Sequence, residues 1–103
     1  MTRQIVNSFC AARRRGHSTP LGLLLTTPGA QAAVPPAEAM QALRRHATGD
    51  WGELDAHDRD ANDRALTEGS RLLSSYRTID GTTFWIITEA DRSVTTVLLP
   101  GEY

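Results

Sequence analysis

The sequence predicts an α+β fold: two short helices packed on a three- or four-stranded antiparallel β-sheet that forms a C-terminal meander. Three observations carry this expectation. Two segments between residues 36 and 68 space their apolar residues helically and are bounded by capping signals. Beyond Gly69 the pattern turns strand-like, rich in β-branched and aromatic residues. The length of 103 residues fits one small domain, and a hydrophobic content of 40% is too high for a fully disordered chain.

The elements follow in order. Leu23–Thr26 suits a short edge strand, and Thr27 before Pro28 has the order of an N-cap and a first helical residue. Pro36 opens a helix whose apolar stripe is Ala39, Met40, Leu43 and Ala47, with Glu38 in its first turn and Gly49 placed to stop it. After the loop Gly49-Asp50-Trp51-Gly52, Asp55 caps a second helix that Gly69 ends near residue 68. Asp55/Arg59 and Asp60/Arg64 are spaced i,i+4 for ion pairs along its exposed side.

Strands are expected at Arg71–Ile79, Thr82–Glu89 and Val94–Leu99. Asp80-Gly81 reads as a two-residue hairpin turn that sets Arg77 opposite Phe84 and Ser75 opposite Ile86. The loop Ala90–Ser93 sets Trp85 opposite Leu98. In that register one face collects Leu73, Phe84, Ile86, Val97 and Leu99, and the other Leu72, Tyr76, Trp85, Ile87, Val94 and Leu98. Both faces are largely apolar, whereas a meander with one solvated face should alternate. Two short helices cover one face only. The other needs residues 21–34, a second copy or a different partner.

Residues 1–24 read as a flexible basic extension and residues 25–103 as the domain. Residues 1–37 hold four arginines (Arg3, Arg13, Arg14, Arg15) and no acid, while residues 38–103 hold seven arginines against twelve carboxylates. The acidic domain and the thin basic arm argue against nucleic acid as a partner. No apolar run approaches the roughly 20 residues of a membrane span. Leu21–Leu25, flanked by Arg13–Arg15 and Ala30-Gln31-Ala32, is too short for the apolar region of a signal peptide, so secretion is not expected. The single cysteine, Cys10, lies in the arm and cannot build a disulfide framework.

No metal or cofactor is expected. Asp58-x-Asp60-x-Asn62 has the start of a calcium loop, but position 6 is Asp63 rather than glycine and position 12 is Gly69 rather than glutamate. His17, His46 and His57 form no helical i,i+4 pair. His46 near a helix C-terminus is suited to carry charge against the dipole. A helix followed by an antiparallel sheet is also how small metal-independent ribonucleases are built. In that alternative reading His57, Arg77, Glu89 and Arg92 are the catalytic candidates, supplying an acid/base pair and a cation for the scissile phosphate.

Leu25-Thr26-Thr27-Pro28-Gly29, Gly49-Asp50-Trp51-Gly52-Glu53-Leu54-Asp55, Gly69-Ser70-Arg71-Leu72-Leu73-Ser74, the run Phe84–Ser93 and the tail Leu98-Leu99-Pro100-Gly101-Glu102-Tyr103 together carry a resemblance. The chain resembles, over residues 25–103, a family of small bacterial proteins labelled plasmid-related. The resemblance implies a setting, the plasmids and integrated elements of proteobacteria and hence the cytoplasm, and no activity. The expected function is a non-enzymatic protein-interaction module that binds another protein, or itself, through the apolar sheet face. The candidate binding residues are Asp50 and Trp51 in the loop, Trp85 on the sheet, and Asp91 and Arg92 at the second hairpin. An indole in that loop either anchors an interface or plugs the core between helix and sheet.

Overall fold

The computed structural model describes Gln4–Val6 and residues 19–103. The strands are β1 (Gln4–Val6), β2 (Leu23–Thr26), β3 (Leu72–Arg77), β4 (Thr83–Thr88) and β5 (Val94–Leu98), and the helices are α1 (Pro28–Ala33), α2 (Pro36–Ala47) and α3 (Ala56–Glu68). A 3-10 turn, Pro100–Glu102, closes the chain. This is the expected α+β class, with a third helix. Caps place the helices as the sequence requires: the Thr27 side chain accepts from Ala30 N, Asp55 accepts from Asp58 N, and Gly69 ends α3 in the left-handed region. The expected i,i+4 pairs of α3 do not form, since Arg59 instead donates to the Leu54 carbonyl at 2.7 Å.

The sheet runs β1-β2-β5-β4-β3. It is mixed, not wholly antiparallel, because β2 lies parallel to β5, with Leu24 beside Thr95. The second expected register holds, with Trp85 opposite Leu98. The first does not. Arg77 faces Thr83 and Ser75 faces Trp85, one residue away from the expected pairing. The turn is a three-residue loop, Ile79-Asp80-Gly81, with Gly81 at φ 95°. Asp80 accepts from the hydroxyls of Thr78 and Thr82, which lengthens the turn by one residue. A one-residue slip exchanges faces. Leu72 and Tyr76 therefore join Phe84 and Ile86, while Leu73 joins Trp85 and Ile87.

The first face carries the main core. Leu21, Leu24, Tyr76, Phe84, Ile86 and Val97 pack against Ala30 and Val34 of α1 and Ala42, Leu43 and Ala47 of α2. The expected boundary at residue 24 is therefore too late: Leu21 is buried in this core, and Thr19 N donates to the Ala47 carbonyl. Gln4–Val6 of the expected extension pairs with β2. Cys10, His17 and the arginines of the arm lie outside the described residues.

Helix α3 runs along the β3 edge, where Ala65 packs with Trp51 and Leu72. Its Asn62 acts as a short strand in amide form: Nδ2 donates to the Leu73 carbonyl and Oδ1 accepts from Leu73 N. Next along the edge, Ser75 is paired by Trp51 O and Glu53 N. The outward backbone groups of Leu73 and Ser75 are thus satisfied without a partner strand. Asn62→Ala should lower unfolding stability by about 2 kcal/mol in denaturant titration, because two backbone groups at a buried site lose their partners. A loss below about 0.5 kcal/mol would mean that water replaces the amide there.

The second face is covered in part by the chain's own C-terminus, a solution outside the three expected ones. Tyr103 meets Trp85 edge to face at 5.8 Å, and its hydroxyl accepts from Arg71 at 2.7 Å. Glu102 holds the turn by accepting from Gly29 N and Leu99 N, both at 2.9 Å, and from the Thr27 hydroxyl. These bonds, that from Thr27 foremost, hold the Glu102 carboxyl below its ordinary range. Residues 21–34 instead extend the sheet and cover the first face. Among the described residues, no helix is long and apolar enough to cross a membrane.

Candidate functional site

The loop after α2 sets one wall of a cleft on the second face. Gly52 is at φ 76°, and a Cβ there would stand 2.0 Å from the Ser75 carbonyl oxygen, so only glycine lets the loop lie against β3. Asp50 accepts from Arg45 at 2.7 and 3.1 Å and from Gly52 N at 3.2 Å, while its carbonyl accepts from the Tyr76 hydroxyl at 2.7 Å. The Arg45 bond keeps the Asp50 carboxyl below its usual range, and burial pushes the Tyr76 phenol well up. Trp51 points inward. It is 2% exposed, donates its indole N–H to Asp63 at 2.9 Å and meets His46 edge-on. Of the two roles open to it, the one the structure assigns is the core plug.

Anchored in this way, the loop carries Glu53, Leu54 and Asp55 to the rim of an open cleft of about 640 Å³. Asp58, Ala61 and Asn62 of α3 form the far wall, and Leu73, Ser75 and Trp85 the floor. Trp85 is half-buried and belongs to neither hydrophobic cluster. Glu53 pairs with Arg77 at 3.1 Å, across two half-exposed side chains.

Asp91 and Arg92 serve the second hairpin. Asp91 accepts from the Ser93 hydroxyl at 2.6 Å and from Ser93 N, which lowers its pKa, the hydroxyl foremost. Arg92, at φ 62°, donates to the carbonyls of Ser70 (2.7 Å), Ala65 and Glu89 (both 3.2 Å) and so ties the hairpin to the end of α3. The four catalytic candidates are not brought together. Arg77 lies opposite Thr83 at the start of β4 while Glu89 follows Thr88 at its end, about 20 Å away along an extended strand. His57 is exposed on α3, 3.6 Å from Asp58. Asp55, His57 and Asp58 lie close enough to share an ion, but all three are exposed and Asp55 is occupied as the helix cap. Residues 58–68 are helical rather than a calcium loop.

Sequence reasoning placed His46 as a charged helix end, and the structure corrects this. His46 is fully buried between Ser74 and Thr88. The relay has one consistent direction. Thr95 donates its single proton to the Leu21 carbonyl at 2.7 Å, so Thr88 must donate to Thr95, also at 2.7 Å. Thr88 then accepts from His46 Nε2–H at 2.8 Å, and Nδ1 accepts from the Ser74 hydroxyl. The ring is neutral, its pKa pushed down to about 3 by burial first and by the Arg92 charge second. One signal was available: residue 46 falls on the same helical stripe as Ala39, Leu43 and Ala47.

Comparison with protein-family models, curated proteins and solved structures finds no match for the chain.

Proposed function

We propose that the protein is a non-enzymatic protein-interaction module that engages another protein through the cleft floored by Trp85. The observation that carries this reading is the contrast between the two indoles. Trp51 is absorbed into the core, whereas Trp85 is half-buried, floors an open cleft and meets Tyr103 edge to face. An aromatic ring at the bottom of a concave, partly apolar surface is the kind of anchor on which interfaces concentrate binding energy. The setting follows from the plasmid-related resemblance: an accessory protein of a bacterial mobile element, working in the cytoplasm.

The ribonuclease-like alternative has less support. Arg77 and Glu89 lie at opposite ends of the sheet, Arg92 spends its donors on carbonyls, and the Ser74–His46 contact is sealed from any substrate. Purified protein is expected to leave RNA intact over long incubation.

A photocrosslinking amino acid at position 85, expressed in the native host with position 64 on the outer side of α3 as control, tests the main reading. One discrete adduct from position 85 alone is expected. Identical products from both positions, or none, would remove the cleft from consideration, and an adduct of twice the chain mass would assign the surface to self-association.

A further inference from the structure

We propose that the cleft receives an arginine side chain of the partner protein, its guanidinium laid on the Trp85 indole and its charge met by Asp58 and by Asp55 Oδ2, the oxygen that does not cap α3. This rests on the interaction reading above and specifies the partner's chemistry. Charge complementarity carries it. Three carboxylates, Glu53, Asp55 and Asp58, line the cleft together with an indole, and no lining residue is basic. Glu53 already bonds a guanidinium, that of Arg77, at 3.1 Å, so the rim accommodates that group. Among the described residues no arginine pairs with Asp55 or Asp58, since neighbouring Arg59 is turned to the Leu54 carbonyl.

The floor chooses among cations. A planar, weakly hydrated guanidinium stacks on an indole, whereas an ammonium holds its water more tightly. Leu54, Ala61 and Leu73 supply apolar surface for the aliphatic stem of an incoming side chain. The same surroundings disfavour an acidic or phosphorylated ligand, which would meet the like charges of Asp55 and Asp58.

The test uses the full chain labelled with nitrogen-15 and an acetylated, amidated Gly-Arg-Arg-Gly peptide, compared with the same peptide carrying citrulline, which keeps the shape and loses the charge. The arginine peptide is expected to move the Trp85 indole N–H signal and the Leu73 and Ala61 amides, and to leave the buried Trp51 indole in place. Asp55→Asn with Asp58→Asn keeps a competent helix cap while removing both charges, and should weaken binding about tenfold. Trp85→Leu keeps an apolar floor and should weaken it by about threefold. Equal binding of the citrulline peptide, shifts confined to other surfaces, or no shift at millimolar peptide would overturn the arginine assignment. Crosslinking from position 85 would still report separately on whether the cleft binds protein.

Discussion

His46→Ala should cost about 3–5 kcal/mol of unfolding stability and lower the melting midpoint by about 15–30 °C. The imidazole is fully enclosed and both nitrogens are used, Nδ1 by the Ser74 hydroxyl and Nε2 by Thr88. Truncation leaves an acceptor and a donor without partners and opens a void beside Trp51, whose ring meets the imidazole at 5.6 Å. The loss would be a large share of a stability that for such domains is about 5–15 kcal/mol. Adding Ser74→Ala to the variant should recover about 1 kcal/mol, because the orphaned hydroxyl disappears with it. A cost below about 1 kcal/mol for His46→Ala in denaturant titration would mean that the relay contributes little and that water fills the site.

That relay explains why a small sheet tolerates so much buried hydroxyl. Ser74, Thr88 and Thr95 are fully buried on the face that otherwise holds Phe84, Ile86 and Val97. Each is satisfied by the next member of the chain, ending on the Leu21 carbonyl. The same bonds tie α2 to three strands and to the segment entering β2. Burial of the polar groups therefore fixes how helix and sheet meet, a specificity that apolar packing alone supplies less well.

Local chemistry was legible in the sequence, and long-range geometry was not. Pro36, Asp55 and Gly69 announce the ends of α2 and α3 because a cap depends only on its immediate neighbours. The four-residue loop before Val94 sets the β4–β5 register for the same reason. Asp80-Gly81 misleads because the aspartate binds the hydroxyls of Thr78 and Thr82 instead of leaving the turn two residues long. That one residue decides which side Leu72, Leu73 and Tyr76 face. The parallel pairing of β2 with β5 and the docking of Tyr103 on Trp85 join residues far apart in the chain, beyond the reach of periodicity. Among the candidate site residues, Trp85 alone could be valued from its place in an unbroken apolar strand. Asp50 is claimed by Arg45 across the turn that ends α2, a pairing five residues apart that helical i,i+4 spacing does not flag, and Arg92 by the backbone carbonyls of Ser70 and Ala65, more than twenty residues away.

Stability should fall steadily as the pH drops below about 6.5, well before ordinary carboxylates protonate. In the folded protein His46 accepts a proton only near pH 3, because its ring is enclosed and Arg92 adds positive potential. In the unfolded chain the same ring takes up a proton near pH 6.5. Between those values unfolding binds one more proton, so the contribution of the neutral ring is fully present above pH 6.5 and is lost as the pH falls. The slope is about 1.4 kcal/mol per pH unit, or about 2.7 kcal/mol lost by pH 4.5. The lowered carboxyls of Asp50 and Glu102 act in the same direction at lower pH, as each loses its partners on protonation. His46→Gln separates the two effects, since its amide can still donate toward Thr88 but does not titrate. Denaturant midpoints measured from pH 8 to pH 4.5 should slope for the natural chain and stay nearly level for the variant down to about pH 5. A natural chain that is equally stable at pH 7 and pH 5 would show that the buried ring charges without opening the fold.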